Sequence, residues 1–153
     1  CIYGNPSNAN SVLKINPADG SVSFIGGPFE GCWKWHGGAL GSDGCIYGIP
    51  ANATSILKVN PATQEITTIG DGKFIGRNKW YGGLAAPDGC IYGMPYNANC
   101  VLKINPATQE VSMHGQDLLK EGGWKWHGGV IGPDGCIYAM PSHADCVLKV
   151  IPG

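Results

Sequence analysis

Short apolar runs recur along the chain, each separated from the next by glycine, proline and polar turn residues. The stretch from 82 to 115 shows the pattern. Gly82-Gly83-Leu84-Ala85-Ala86 leads into Pro87-Asp88-Gly89, and Asp-Gly between apolar runs is a strong hairpin signal. Cys90–Met94 then reads as a strand, the loop Pro95-Tyr96-Asn97-Ala98-Asn99 follows, and Cys100–Asn105 reads as another strand. Pro106-Ala107-Thr108-Gln109 has turn chemistry, and Glu110–His114 is a fourth strand closed by Gly115. No sustained helical period occurs; Gln116–Glu121 alone has a helix-forming composition, and it is short.

This four-strand unit repeats. Cys1-Ile2-Tyr3-Gly4 recurs at Cys45–Gly48, at Cys90–Gly93 and, with alanine last, at Cys136–Ala139, so the spacings are 44, 45 and 46 residues. Each copy passes through a proline to Leu-Lys at 13–14, 57–58, 102–103 and 148–149, and 11 of 17 positions are identical between 45–61 and 90–106. The array divides into repeats 1–44, 45–89 and 90–135 and a partial repeat 136–153. Four short antiparallel strands in about 40–50 residues is the size of one β-propeller blade. The pattern Asp-Gly-x-Ile-Tyr-Gly, followed by Val-Leu-Lys-Ile-Asn-Pro-Ala-Thr, resembles the blades of NHL-type and YVTN-type propellers and more loosely Kelch. The resemblance implies an all-β array of four-stranded antiparallel blades. It carries little about activity, because such folds host lectins, lactonases, scaffolds and surface proteins alike.

With the strands of a unit labelled a to d, the chain reads bcd, abcd, abcd, abc, or three and a half blades. Incomplete blades leave unpaired strand edges, which are templates for pairing. The expected partners are therefore other copies of this chain or flanking repeats of a longer one.

Composition narrows the function classes. Ten basic residues against eleven acidic give a net charge of −1, which excludes a strongly basic nucleic-acid surface. No apolar run approaches the roughly 20 residues that a membrane-spanning helix needs. The hydrophobic fraction of 43% is too high for a disordered chain. Six of the seven cysteines are periodic (Cys1, Cys45, Cys90 and Cys136 at one repeat position, Cys100 and Cys146 at another), and Cys32 alone is not. The four-fold set reads as small buried apolar residues. Cys32 is the expected disulfide partner of Cys100 or Cys146, because the linkers between blades and the b–c loops share one face. No Cys-x-x-Cys pair is present, and no metal or cofactor is implied. Asn52-Ala53-Thr54 is a sequon in a surface loop. Cysteine-rich, lysine-poor and loop-rich, the chain reads as extracellular or cell-surface.

Candidate chemistry lies on the linker face. Trp33-Lys34-Trp35-His36-Gly37-Gly38 recurs as Lys79-Trp80-Tyr81-Gly82-Gly83 and as Trp124-Lys125-Trp126-His127-Gly128-Gly129. Trp35, Trp80 and Trp126 occur in every linker and are expected to pack between blades. Trp33 and Trp124 break the repeat and are expected to be exposed. With His36 and His127, and with Asn8, Asn52 and Asn97 of the b–c loops, they form the candidate ligand set, since indole faces and amides together hold sugars. The lysines at 14, 58, 103 and 149 and at 34, 79 and 125 read as solvated rims. No paired carboxylates, nucleophile elbow or phosphate loop appears. The sequence thus implies a non-catalytic structural or adhesive repeat protein. A carbohydrate-binding propeller and a fragment of a lactonase-like propeller hydrolase are the alternatives.

Overall fold

A computed structural model describes residues 1–116, 118–119 and 122–153. Four antiparallel sheets follow one another along the chain. The first contains β1 (Ile2–Gly4), β2 (Val12–Ile15) and β3 (Val22–Ile25); the second, β4 (Trp35–Leu40), β5 (Ile46–Pro50), β6 (Ile56–Val59) and β7 (Ile66–Ile69). The third contains β8 (Trp80–Ala85), β9 (Ile91–Pro95), β10 (Val101–Ile104) and β11 (Val111–His114); the fourth, β12 (Trp126–Ile131), β13 (Ile137–Pro141) and β14 (Leu148–Val150). This is the bcd, abcd, abcd, abc order expected from the repeat. No helix occurs among the described residues, and the stretch expected to favour one lies partly outside them.

Turn chemistry sets each hairpin. Where β4 meets β5, Gly44 takes φ +78° and its N–H bonds the Gly41 carbonyl. Asp43 accepts the Cys45 N–H at 3.1 Å, which gives the Asp-Gly pair its place in the turn. At the c–d turns the left-handed position is held by Gly20, Gln64 and Gln109 (φ +72°, +62° and +60°).

The core lies between sheets. The faces of the second and third sheets bury Tyr47, Ile49, Ile56, Ile91, Leu102 and Ile104, and Trp80 closes one end. Trp35, Trp80 and Trp126 are buried as expected, and each indole N–H donates to a carbonyl of the same blade: Ser55 at 2.8 Å, Cys100 at 2.7 Å and Cys146 at 2.9 Å. Burying an indole without such an acceptor would forfeit much of its apolar gain. Cys45, Cys90, Cys100 and Cys136 are buried. All seven cysteines are free thiols, so the expected pairing of Cys32 with Cys100 or Cys146 is absent. Cys100 is sealed in the core between the second and third sheets, whereas Cys32 and Cys146 are exposed on other segments.

The lysines correct the sequence reading in part: Lys34, Lys79 and Lys125 are buried, and three of the other four are ion-paired. Lys58, Lys103 and Lys149 form ion pairs with Asp43, Asp88 and Asp134 at 3.0, 3.3 and 3.0 Å. The same three carboxylates accept the hydroxyls of Tyr47, Tyr92 and Tyr138 at 2.8, 2.7 and 2.8 Å. Each triad fastens an a–b turn to strands b and c of its blade. Burial opposes ionisation of Asp88, but Tyr92, the Cys90 N–H and Lys103 outweigh it and hold the carboxyl below its usual 3.8; Asp43 is lowered in the same way. Such a group contributes stability that is present above its unfolded pKa of about 3.9 and is lost as pH falls through the depressed folded value. Thermal melts should therefore show Tm falling below about pH 4. Asp88→Asn should lower Tm at neutral pH and flatten that fall. A wild-type Tm that held constant through the acid range would contradict the triads.

Candidate functional site

Three linkers enter the inner strands β4, β8 and β12, and each is pinned from both sides. The N–H groups of Trp33, Asn78 and Trp124 donate to the side-chain oxygens of Asn8, Asn52 and Asn97 at 2.7, 2.8 and 2.9 Å. Their carbonyls accept from Asn52, Asn97 and His143 N–H groups of the following b–c loop. These bonds hold Trp33, Asn78 and Trp124 in left-handed conformations, at φ +54°, +50° and +62°. Asparagine tolerates this region, whereas tryptophan occupies it at a cost of order 1 kcal/mol. The loop asparagines are thus spent on backbone. The amide nitrogens of Asn52 and Asn97 also donate, to the carbonyls of Cys32 at 3.0 Å and Arg77 at 3.4 Å. The sequon nitrogen on Asn52 is therefore engaged within the fold.

Beneath each pinned residue lies a buried lysine. Lys79 Nζ donates to the carbonyls of Ala51, Ala53 and Gly76 at 2.6, 3.0 and 3.0 Å. Lys34 donates to Gly31, and Lys125 to Gly122 and Asn97. No carboxylate among the described residues is bonded to Lys79, and burial pushes its ammonium down to about 8. Lys79 and Lys125 staple their linkers to b–c loops, and Lys34 braces the turn of its own linker.

Past the lysines, each inner strand starts with its buried Trp and then presents His36, Tyr81 or His127 immediately before a Gly-Gly pair. Gly37, Gly82 and Gly128 have φ of +74°, +73° and +67°. A Cβ on Gly37 would lie 2.8 Å from the Cα of Gly82, and one on Gly82 would lie 3.1 Å from the Cα of Gly128. The inner strands therefore meet backbone to backbone, and the residues just before the glycines converge. His36 stacks on Tyr81 (centroids 4.1 Å apart, planes 6° apart), and Tyr81 stacks on Tyr96 (4.0 Å, 5°). His127 meets His36 and Tyr81 edge-on at 5.6 and 5.4 Å. Trp33 extends the stack beyond His36 at 6.3 Å, and Trp124 lies 5.2 Å from Tyr96 at the opposite end.

These rings, with Asn52, Asn78 and Arg77, surround an open bowl of about 540 Å3 on the linker face. Its floor is buried Tyr81 and Tyr96, and its rim is Trp33 and Trp124, which are 48% and 54% exposed. Burial raises both tyrosine pKa values, with Tyr96 adding to the effect on Tyr81. Burial, then the neighbouring His127 ring, lowers His36 from its usual 6.5. Of the candidate residues, Trp33, His36, Asn52, Trp124 and His127 line this one bowl, while Asn8 and Asn97 stand behind it as backbone clamps. Among the described residues no cluster of His, Cys, Asp or Glu has the makings of a metal site. Asn78 and Tyr81, the repeat equivalents of Trp33 and His36, were not among the candidates, and sequence reasoning also missed Tyr96 and Arg77. The latter two depart from the repeat, where Ala51 and Ser142 stand in place of Tyr96, and Cys32 and Gly123 in place of Arg77.

No family model matches the chain, and no curated protein does. Solved structures do match. A streptogramin B lyase structure superposes with a TM-score of 0.71 at 18% identity, over 91% of this chain and 44% of that one. Hydrazine synthase from Kuenenia stuttgartiensis gives 0.71 at 17%, over 97% and 42%. An auxiliary nutrient binding protein from Bacteroides ovatus gives 0.60 at 13%, over 92% and 33%. The fold is that of a partial β-propeller. The chain spans less than half the length of these solved propellers.

The propeller geometry of the site rests on the glycine contacts. Gly37 and Gly20 share nearly the same left-handed φ, but nothing lies within 4 Å of a Cβ on Gly20. Gly20→Ala should cost only the conformational strain, about 1 kcal/mol. Gly37→Ala adds overpacking against the next inner strand and should cost about 3 kcal/mol. Urea unfolding midpoints compare the two, and equal losses would refute the close-contact explanation.

Proposed function

We propose that this propeller is a non-catalytic, extracellular adhesive module that captures carbohydrate in the axial bowl. The observation that carries the reading is the pair of exposed tryptophans, Trp33 and Trp124, held in left-handed conformations at the two ends of a stacked aromatic floor. A sugar offers an apolar C–H face to a ring and hydroxyls to polar groups around it, and a concave aromatic site with a few polar groups is the usual form of a ligand pocket. Backbone strain kept at exposed aromatic residues supports the same reading, because such strain clusters at binding sites.

The non-catalytic part is supported by what lines the bowl. His36, Tyr81 and His127 are equivalent positions of a repeat, and no described lining residue is a carboxylate, serine or cysteine. The carboxylates of the a–b turns lie at the other end of the inner strands, bound to tyrosine and lysine. Extracellular placement is supported by the lysine-poor, loop-rich composition. Matching structures include an extracellular domain from B. thetaiotaomicron, with a TM-score of 0.66.

A glycan array identifies bound sugars, and calorimetry then measures the variants. Trp33→Ala and Trp124→Ala should each weaken binding about tenfold, equivalent to about 1.4 kcal/mol of lost stacking. Absence of any glycan binding by the parent protein would overturn the proposal, as would hydrolysis or elimination of a bound sugar for its non-catalytic part.

A further inference from the structure

The bowl has an unbalanced set of polar groups. Arg77 is exposed, lines the bowl, and forms no ion pair with any described residue. Its backbone is held on both sides: the Gly76 carbonyl accepts from Lys79, Asn78 is clamped by Asn52, and the Arg77 carbonyl accepts from Asn97. The guanidinium is thus displayed from a held position rather than from a free loop. Around it the other titratable groups on the bowl are His36, His127, Tyr81 and Tyr96. None of the described lining residues is acidic.

Hydrogen bonding inside the fold sharpens this bias. The Asn52 side-chain oxygen is taken by the Asn78 N–H, and the Asn78 side-chain oxygen by the Tyr81 hydroxyl at 3.2 Å. Each of these amide oxygens already accepts one bond from within the fold. Arg77 adds the one fixed charge among the described lining residues, with five N–H donors and no carboxylate to oppose it, which suits a ligand group that only accepts, such as an ionised carboxylate. Arginine is also the side chain best shaped to hold a carboxylate through two parallel bonds.

Building on the carbohydrate reading, we propose that the bowl selects acidic sugars, with the carboxylate of a uronic-acid unit paired to Arg77 and a ring face of the sugar on Trp33 or Trp124. The preference for acid comes from Arg77, and the affinity for sugar from the rings.

Calorimetry with oligogalacturonate and with its fully methyl-esterified form tests this, because the two share a backbone and differ in charge. The acid should bind at least tenfold more tightly than the ester, and its advantage should shrink as salt rises from about 50 to 500 mM, as expected for a screened ion pair. Arg77→Gln should bring the affinity for the acid down to that for the ester; since the side chain is exposed, its melting temperature should match the parent's. Equal binding of acid and ester by the parent would overturn the acidic-sugar proposal, as would an Arg77→Gln variant that keeps the preference. If neither galacturonate form binds while the array shows neutral glycans bound, the acidic preference fails and the carbohydrate reading stands. If no glycan binds at all, both fail.

Discussion

The backbone-to-backbone meeting of the inner strands at Gly37, Gly82 and Gly128 is the constraint from which the rest of the molecule follows. Side chains on Gly37 or Gly82 would push the strands apart, and the three strands carry the positions that converge on the bowl. The same Gly-Gly pairs shift the register between each inner strand and its neighbour, at Trp35/Gly38, Tyr81/Gly83 and Trp126/Gly129. Bulges of this kind re-aim the side chains that precede them. His36, Tyr81 and His127 consequently crowd around one axis, while the buried tryptophan just before each of them stays in the core between blades.

Rigidity of the rim has a separate source. Each linker is gripped by an asparagine oxygen from the preceding blade, by N–H groups from the following b–c loop, and by a lysine ammonium below. A buried ammonium is costly unless its bonds are satisfied, and the three carbonyls around Lys79 satisfy it. The linker therefore has little freedom, and the left-handed conformations of Trp33 and Trp124 can persist. Preorganised aromatics lose less entropy when a ligand arrives, which is what a shallow, open site needs in order to bind. The carboxylates, meanwhile, are tied up by tyrosine and lysine at the a–b turns, leaving Arg77 as the charged side chain that the described bowl presents.

Most of the fold was legible in the sequence because it is periodic. The Cys-Ile-Tyr-Gly repeats, the Asp-Gly turns and the Leu-Lys strands located the fourteen strands and their order. The buried and exposed tryptophans were separable for the same reason, since Trp35, Trp80 and Trp126 recur while Trp33 and Trp124 do not. Periodicity misled where recurrence has a cause other than exposure. Lys34, Lys79 and Lys125 repeat because each braces its linker, and Lys58, Lys103 and Lys149 because each a–b turn needs a counter-ion. Asn52 and Asn97 looked like ligand amides for their loop position, yet their partners are backbone groups on another segment that no local pattern specifies. Tyr96 and Arg77 were hidden in the opposite way. They are single departures from the repeat, and only the stacking of distant segments shows where they point.

The account turns on Trp33 and Trp124 being the residues that meet the ligand while Trp35, Trp80 and Trp126 remain structural. Five indole N–H signals resolve that distinction in a two-dimensional 1H–15N NMR titration with an acidic oligosaccharide. The signals of Trp33 and Trp124 should move progressively with added sugar, and those of Trp35, Trp80 and Trp126, each bonded to a carbonyl in the core, should stay in place. Movement of the three core indoles with Trp33 and Trp124 unaffected would place the ligand elsewhere and contradict the assignment of the bowl.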